Sequence, residues 1–149
     1  MARGSATHSL FIAAILTLGL ARQGRACQCG TRPPADVALA QSEFVVAGVV
    51  TTIEPLPSGP DATAHAFPDV FRVRIRVQKR WKGAATSELT LAQASTCAFS
   101  FQLGRAYLVF ASTDRVSGAG VEASKCLPNK PYAKAASELA LIGPPIAKP

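Results

Sequence analysis

Apolar and polar side chains alternate most regularly along residues 69–81 of the chain. One side of this segment carries Phe71, Val73, Ile75 and Val77, and the other carries Arg72, Arg74, Arg76 and Gln78. A period of two belongs to an extended chain, and an antiparallel strand with one face in solvent produces it. The pattern therefore predicts a strand over residues 69–81.

Four other segments have the composition of strands. Residues 43–53 are rich in β-branched side chains and contain one glycine, Gly48, which indicates a bend or a bulge. Shorter apolar runs predict strands at residues 88–92 and 106–111, and a weaker fifth strand at residues 121–124.

Two short helices and a loop are predicted between and around these strands. Residues 35–40 follow Pro34 and predict one or two helical turns, and residues 132–142 are strongly helix-forming until Gly143 stops them. Residues 54–68 contain four prolines and a glycine, which predicts a loop.

Five short strands with one or two short flanking helices fit a closed barrel better than a flat sheet, because closure leaves no exposed edge. We therefore predict a mainly β chain, built as a small five-stranded, OB-fold-like closed barrel. No repeat or linker interrupts residues 27–149, so we expect them to form a single domain.

The first residues have the three-part layout of a secretory signal peptide. Arg3 precedes a mainly apolar run at residues 10–21, and a short polar stretch ends at Ala26. The run is too short to span a membrane, which takes about 20 residues. We expect cleavage after residue 26 and a secreted or periplasmic protein without a membrane span. Acylation of Cys27, as in bacterial lipoproteins, is an alternative that the charged residue at position 25 disfavours.

All four cysteines of the sequence, Cys27, Cys29, Cys97 and Cys126, follow the signal segment. An even number of cysteines in an exported chain predicts two disulfides, although three pairings are possible and the sequence does not choose among them. A four-thiolate zinc site is the alternative, but Cys97 and Cys126 lack the close spacing of such sites.

Several motifs together, in order along the chain, resemble those of the netrin-like module, and in particular the N-terminal domain of the tissue inhibitors of metalloproteinases. The matching pieces are Cys27-Gln28-Cys29, residues 44–48, the strand from Val73 to Trp81 closed by Lys82-Gly83, Cys97 within residues 96–101, residues 104–110 and Cys126. Two features depart from the animal inhibitors: the cysteines of a third disulfide and a second, C-terminal domain are missing from the sequence.

The resemblance implies disulfides between Cys27 and Cys97 and between Cys29 and Cys126. It also implies that the free α-amine and the carbonyl of Cys27 chelate the catalytic zinc of a metalloprotease, with Gln28 directed into the main specificity pocket of that enzyme. The protein would then be a monomer with no cofactor or metal of its own. The alternative is that Cys27-Gln28-Cys29 is only a staple for the N-terminus, as in netrin-like modules that inhibit nothing.

The charge of the chain is +7, and it falls to +4 without residues 1–26, which contain three arginines and no acid. Arg72, Arg74 and Arg76 form a row that is either a solvated strand face or a patch for a polyanion or a partner protein. We expect no nucleic acid, because few aromatic residues accompany the row. The two histidines, His8 and His65, and the spacing of the carboxylates form no catalytic constellation, so we do not expect an enzyme.

Overall fold

A computed structural model describes residues 27–56, 70–115 and 120–146 of the chain. The predicted signal segment and most of the predicted loop at 54–68 lie outside the described residues. The described elements are, in chain order, α1 (Ala35–Gln41), β1 (Phe44–Pro55), β2 (Phe71–Lys82), β3 (Glu88–Gln93), β4 (Ala106–Asp114), β5 (Gly120–Glu122), β6 (Lys130–Pro131), a 3₁₀ turn (Tyr132–Lys134) and α2 (Ala136–Ile142).

The strands form one antiparallel sheet in the order β3-β2-β1-β4-β5, with the short β6 added beside β4. The sheet curls into a nearly closed, five-stranded barrel with one seam, which lies between β3 and β5. The predicted mainly β, OB-fold-like barrel is therefore confirmed, except that no strand ladder of the described residues closes it at the seam. Within the described residues, no helix is long and apolar enough to cross a membrane.

The barrel has two hydrophobic cores, one on each side of β1. The interior is filled by Val46, Val50, Val73, Ile75, Val77, Leu89, Leu91, Tyr107, Val109, Ala111 and Ala123. The two helices cover one end of the outer face, over Val45, Ala47, Trp81, Leu108 and Phe110. The helices thus bury a second face of β1 and β4, which explains why these strands read as continuous apolar runs while β2 alternates.

The structure differs from the sequence predictions in two elements. The single helix predicted at residues 132–142 is divided at Ala135 into a 3₁₀ turn and α2, and Ala135 itself is buried in the outer core. The two-residue strand β6 was not predicted, because a segment that short shows no periodic pattern of apolar and polar residues. The predicted helix at residues 35–40 and the five predicted strands are confirmed, with bounds that differ by a few residues.

Gly48 lies at a close approach of β1 to β2, and the register of the two strands shifts between Ala47 and Gly48. The bulge predicted at this glycine is confirmed. A Cβ atom at position 48 would lie 2.3 Å from the backbone oxygen of Arg76 and 2.8 Å from Cγ2 of Ile75. Because the nearer atom belongs to the backbone, no side-chain rotation can relieve the overlap.

We therefore expect Gly48→Ala to lower the free energy of unfolding by about 1–3 kcal/mol, the usual cost of overpacking. Chemical denaturation followed by circular dichroism measures this loss. Gly30→Ala is the matched control, since a Cβ there would meet no atom within 4 Å. Equal stability of the two variants would contradict the tight strand crossing.

Candidate functional site

Two disulfides join the N-terminal segment to distant parts of the chain: Cys27 is bonded to Cys97 and Cys29 to Cys126. This is the pairing that the family resemblance implies and that the cysteine count alone left open. No cysteine among the described residues is free, so none offers a thiolate to a metal, and the sulfur of Cys27 cannot also carry a lipid. Disulfides indicate an oxidising compartment.

The two disulfides pack against each other. The Sγ atom of Cys27 lies 3.5 Å from that of Cys126 and 3.8 Å from that of Cys29. Cys27 is half-buried, whereas Gln28, Cys29 and Gly30 are exposed. The cross-links therefore fix the backbone of this segment and leave the side chain of Gln28 in solvent.

The two chain segments that hold these disulfides are themselves tied together. The N–H of Lys125 donates to the carbonyl of Cys97 over 2.8 Å, and the N–H of Phe99 donates to the carbonyl of Ala123 over 2.7 Å. The hydroxyl of Ser124 also donates to the Cys97 carbonyl over 3.3 Å. Both anchors of the N-terminal segment thus belong to one hydrogen-bonded unit.

A third attachment follows the second cysteine. The guanidinium of Arg32 donates from Nη2 to the carbonyl of Lys125 over 2.8 Å. Since Pro33 and Pro34 come next and α1 begins at Ala35, the chain is held on both sides of the exposed residues 28–31. This arrangement presents a short, rigid, exposed segment at the edge of the barrel.

Two polar side chains close the seam of the barrel beneath this site. The amide of buried Gln93 forms three hydrogen bonds: Nε2 donates to the carbonyls of Phe99 (2.6 Å) and Ala123 (3.1 Å), and Oε1 accepts from the N–H of Ala123 (3.0 Å). The side chain therefore satisfies the backbone groups that a neighbouring strand would otherwise satisfy.

The carboxylate of Glu122 completes the closure from the other side. It accepts hydrogen bonds from the N–H groups of Ala94 (3.1 Å) and Ser95 (2.9 Å) and from the hydroxyl of Ser95 (2.5 Å). The same hydroxyl accepts from the N–H of Cys97 over 3.1 Å. Glu122 is thus linked through Ser95 to Cys97, which forms the disulfide with Cys27.

Gln93 and Glu122 were not among the residues predicted from the sequence, although one signal indicated Gln93. Leu89 and Leu91 alternate toward the interior, and the same period places Gln93 on that apolar face. A polar side chain at an inward position requires hydrogen-bond partners. Glu122 carries no such signal, because β5 is half-buried throughout.

The arginine row is a separate feature on the outer face of β2. Arg72 and Arg76 are exposed, and the guanidinium of Arg74 lies 3.8 Å from the carboxylate of Glu88 in an exposed ion pair. Such a pair contributes little to stability. The structure therefore brings Cys27, Gln28, Cys29, Cys97 and Cys126 together and holds the arginines on the strand face that the alternation predicts.

Comparison with the models of known protein families finds no match, and no characterised protein is significantly similar to the chain.

Proposed function

We propose that the chain is a secreted inhibitor of a zinc metalloprotease and binds the enzyme through a mature N-terminus at Cys27. The observation that carries this proposal is the double disulfide, which fixes the backbone of Cys27 beside an exposed Gln28. A preorganised segment loses little conformational entropy when it binds, so more of the contact energy remains as affinity.

The chemistry requires that cleavage after residue 26 frees the α-amine of Cys27. An α-amine has an ordinary pKa of about 8, so zinc can compete with protons for its lone pair near neutral pH. The amine and the carbonyl oxygen of one residue form a five-membered chelate. Such a chelate occupies the position where a catalytic zinc otherwise holds water.

Gln28 would set the choice of enzyme. Its exposed side chain would enter the pocket beside the zinc, and its amide would lose its hydrogen bonds to water there. Since a buried amide without partners costs free energy, we expect Gln28 to favour a protease whose pocket offers hydrogen-bond donors and acceptors. Gln28→Ala should then shift inhibition toward proteases with apolar pockets while keeping the chelate.

The decisive experiment adds one alanine before Cys27. The added residue blocks the α-amine of Cys27 and displaces the chelate, so we expect inhibition of a panel of zinc metalloproteases to weaken about 100-fold or more, a loss of roughly 2.8 kcal/mol. Mass spectrometry first establishes that the unmodified protein begins at Cys27. A protein that begins elsewhere, or an extended variant that inhibits equally well, would contradict the proposal.

A second candidate function is a non-inhibitory extracellular module that binds a polyanion, with Cys27-Gln28-Cys29 as a staple. It is favoured by the position of Arg72, Arg74 and Arg76 on one solvent-facing strand, where only Arg74 has an ion-pair partner among the described residues. The alanine extension separates the two functions, because it would leave binding of a polyanion unchanged.

A further inference from the structure

We propose that a second site, around Tyr132 on the outer face of the barrel, binds a saccharide unit that carries sulfate or carboxylate groups. The proposal goes beyond protease inhibition and does not depend on it. It extends the polyanion-binding candidate to residues that the arginine row does not include.

The site is a cavity of about 400 Å³. Its lining residues are Arg105, Ala106, Pro131, Tyr132, Ala133 and Lys134. This volume lies in the range of pockets that hold small molecules. Small side chains and the ring of Tyr132 form its walls, and the charged side chains of Arg105 and Lys134 beside them are exposed to solvent.

The positive charge of the cavity is not neutralised within the described part of the chain. Neither Arg105 nor Lys134 has an ion-pair partner there. Glu138, the acid of the adjacent α2, is held by Lys130 and by the hydroxyl of Ser137. Burial raises the pKa of Glu138, but these hydrogen bonds outweigh it and hold the pKa below its ordinary value. An anionic ligand would therefore supply the missing partner of two cations.

Lys79 adds a third cation and fixes the aromatic ring. Its Nζ atom, which reaches across from β2, donates to the Tyr132 hydroxyl over 2.8 Å and lies 5.1 Å from the centre of the ring. The ring is half-buried, so one part of it packs against the outer core while the rest stays open. A flat apolar ring with a charged group at its polar tip suits a sugar ring with an anionic substituent.

The register of the strands connects this cavity with the arginine row. Arg76 of β2 lies opposite Val49 of β1, and Val49 lies opposite Ala106 of β4, which lines the cavity. Neighbouring strands are about 4.8 Å apart, so the backbones of Arg76 and Ala106 are about 10 Å apart on the same face. A chain of a few acidic sugar units could contact both regions.

The distribution of acidic residues on this face favours the region around Tyr132 as the main anion-binding site. Glu54 lies at the register position of Arg72, and Glu88 lies at that of Arg76 and pairs with Arg74. Glu138, on the following helix α2, is already engaged by Lys130. The net positive charge is therefore concentrated at Lys79, Arg105 and Lys134, and the arginine row supplies an extension for a longer ligand.

The aromatic residues favour a saccharide over a single-stranded nucleic acid. Five rings pack in or against the interior core, and two are buried in the outer core beneath the helices. The interior set is Phe44, Phe71, Phe99, Phe101 and Tyr107, and the outer set is Trp81 and Phe110. Among the described residues Tyr132 is thus the one ring beside the cavity. Barrels that bind single strands stack successive bases on several rings, and this face does not provide them.

The test is binding of a sulfated oligosaccharide and of its desulfated counterpart, measured by calorimetry at two salt concentrations. We expect the sulfated form to bind in a salt-dependent manner, and Arg105→Glu combined with Lys134→Glu to weaken it about tenfold or more. Arg115→Glu combined with Lys125→Glu changes the net charge equally at positions outside the cavity, and it should bind like the unsubstituted protein.

Tyr132 provides a readout that depends on more than charge. Tyr132→Phe keeps the ring and should retain most of the affinity, whereas Tyr132→Ser should lose it in a protein that circular dichroism shows to be folded. Equal binding by the cavity and control double variants, absence of binding, or tighter binding of a single-stranded oligonucleotide would overturn the proposal. No protease enters these measurements, so their failure and failure of the inhibitor proposal are distinguishable.

Discussion

Removal of the Cys29–Cys126 disulfide by a double substitution to serine is expected to lower the free energy of unfolding by about 3–4 kcal/mol. The bond joins residues 97 positions apart, but while Cys27 stays bonded to Cys97 the loop that it closes runs through that disulfide and is about 30 residues long. On the chain-entropy model a cross-link that closes a loop of this length still restricts the unfolded chain strongly. A domain of this size has a total stability of roughly 5–15 kcal/mol. Loss of this bond would therefore remove a large part of it.

The double substitution is required because the two disulfides are so close. Cys29→Ser alone would leave a Cys126 thiol 3.5 Å from the sulfur of Cys27. A thiolate there can attack the Cys27–Cys97 bond and release Cys97 as the new thiolate. The single variant would then be a mixture of two disulfide forms, and its stability would not report the lost cross-link.

Guanidinium denaturation of the double variant measures the loss, and peptide mapping by mass spectrometry verifies that Cys27 is still bonded to Cys97. Because Cys29 holds the second anchor of the exposed segment, we also expect weaker protease inhibition from a protein that remains folded. A stability loss below about 1 kcal/mol would show that the staple does not restrict the unfolded chain as the entropy model requires.

The strands could be predicted from the sequence because their side chains meet different surroundings on their two faces. Apolar and polar residues alternate in β2 because one of its faces is exposed to solvent. Arg72, Arg74 and Arg76 lie on that face, as the alternation predicts. In β1, Val45 and Ala47 pack under the helices while Val46 faces the interior. Composition predicts such a strand, but the reason for its continuous burial appears only when both layers are known.

The closure of the barrel could not be predicted, because it depends on side chains that are far apart in sequence. Gln93 and Ala123 are separated by 30 residues, and Ser95 and Glu122 by 27. Neither pair belongs to a local motif. The same holds for the cysteines: their number indicates two bonds, but the choice among three pairings depends on which chain segments meet at the seam.

The pocket at Tyr132 was missed for a related reason. Residues 132–142 look like one helix, so Tyr132 and Lys134 would lie on helical faces. Burial of Ala135 in the outer core instead ends the 3₁₀ turn and starts α2. This break leaves Tyr132 beside Lys79, a residue 53 positions earlier in the chain.

Substitution of Gln93 by leucine is expected to lower the free energy of unfolding by about 2 kcal/mol or more. The side chain is 6% exposed and satisfies both backbone groups of Ala123 and the carbonyl of Phe99. Leucine is of similar size but would leave the N–H of Ala123 and the carbonyl of Phe99 without these partners, whereas the carbonyl of Ala123 keeps its hydrogen bond from the N–H of Phe99. Each buried unpaired group costs about 1–3 kcal/mol. Gln78→Leu, on the exposed face of β2, is the control and should change stability by less than about 0.5 kcal/mol.

The position of the damage distinguishes a broken seam from general destabilisation. Since the N–H groups of Ala123, Phe99 and Lys125 all lie along the seam, their amide hydrogen exchange should accelerate much more than that of β1 and β4 in Gln93→Leu. The N–H of Lys125 is hydrogen-bonded to the carbonyl of Cys97, so the opened seam would also loosen the segment that anchors Cys27. Protease inhibition should therefore weaken although residues 27–29 are unchanged. Uniform acceleration across all strands, with inhibition intact, would mean that Gln93 only fills the core and does not hold the N-terminal segment in place.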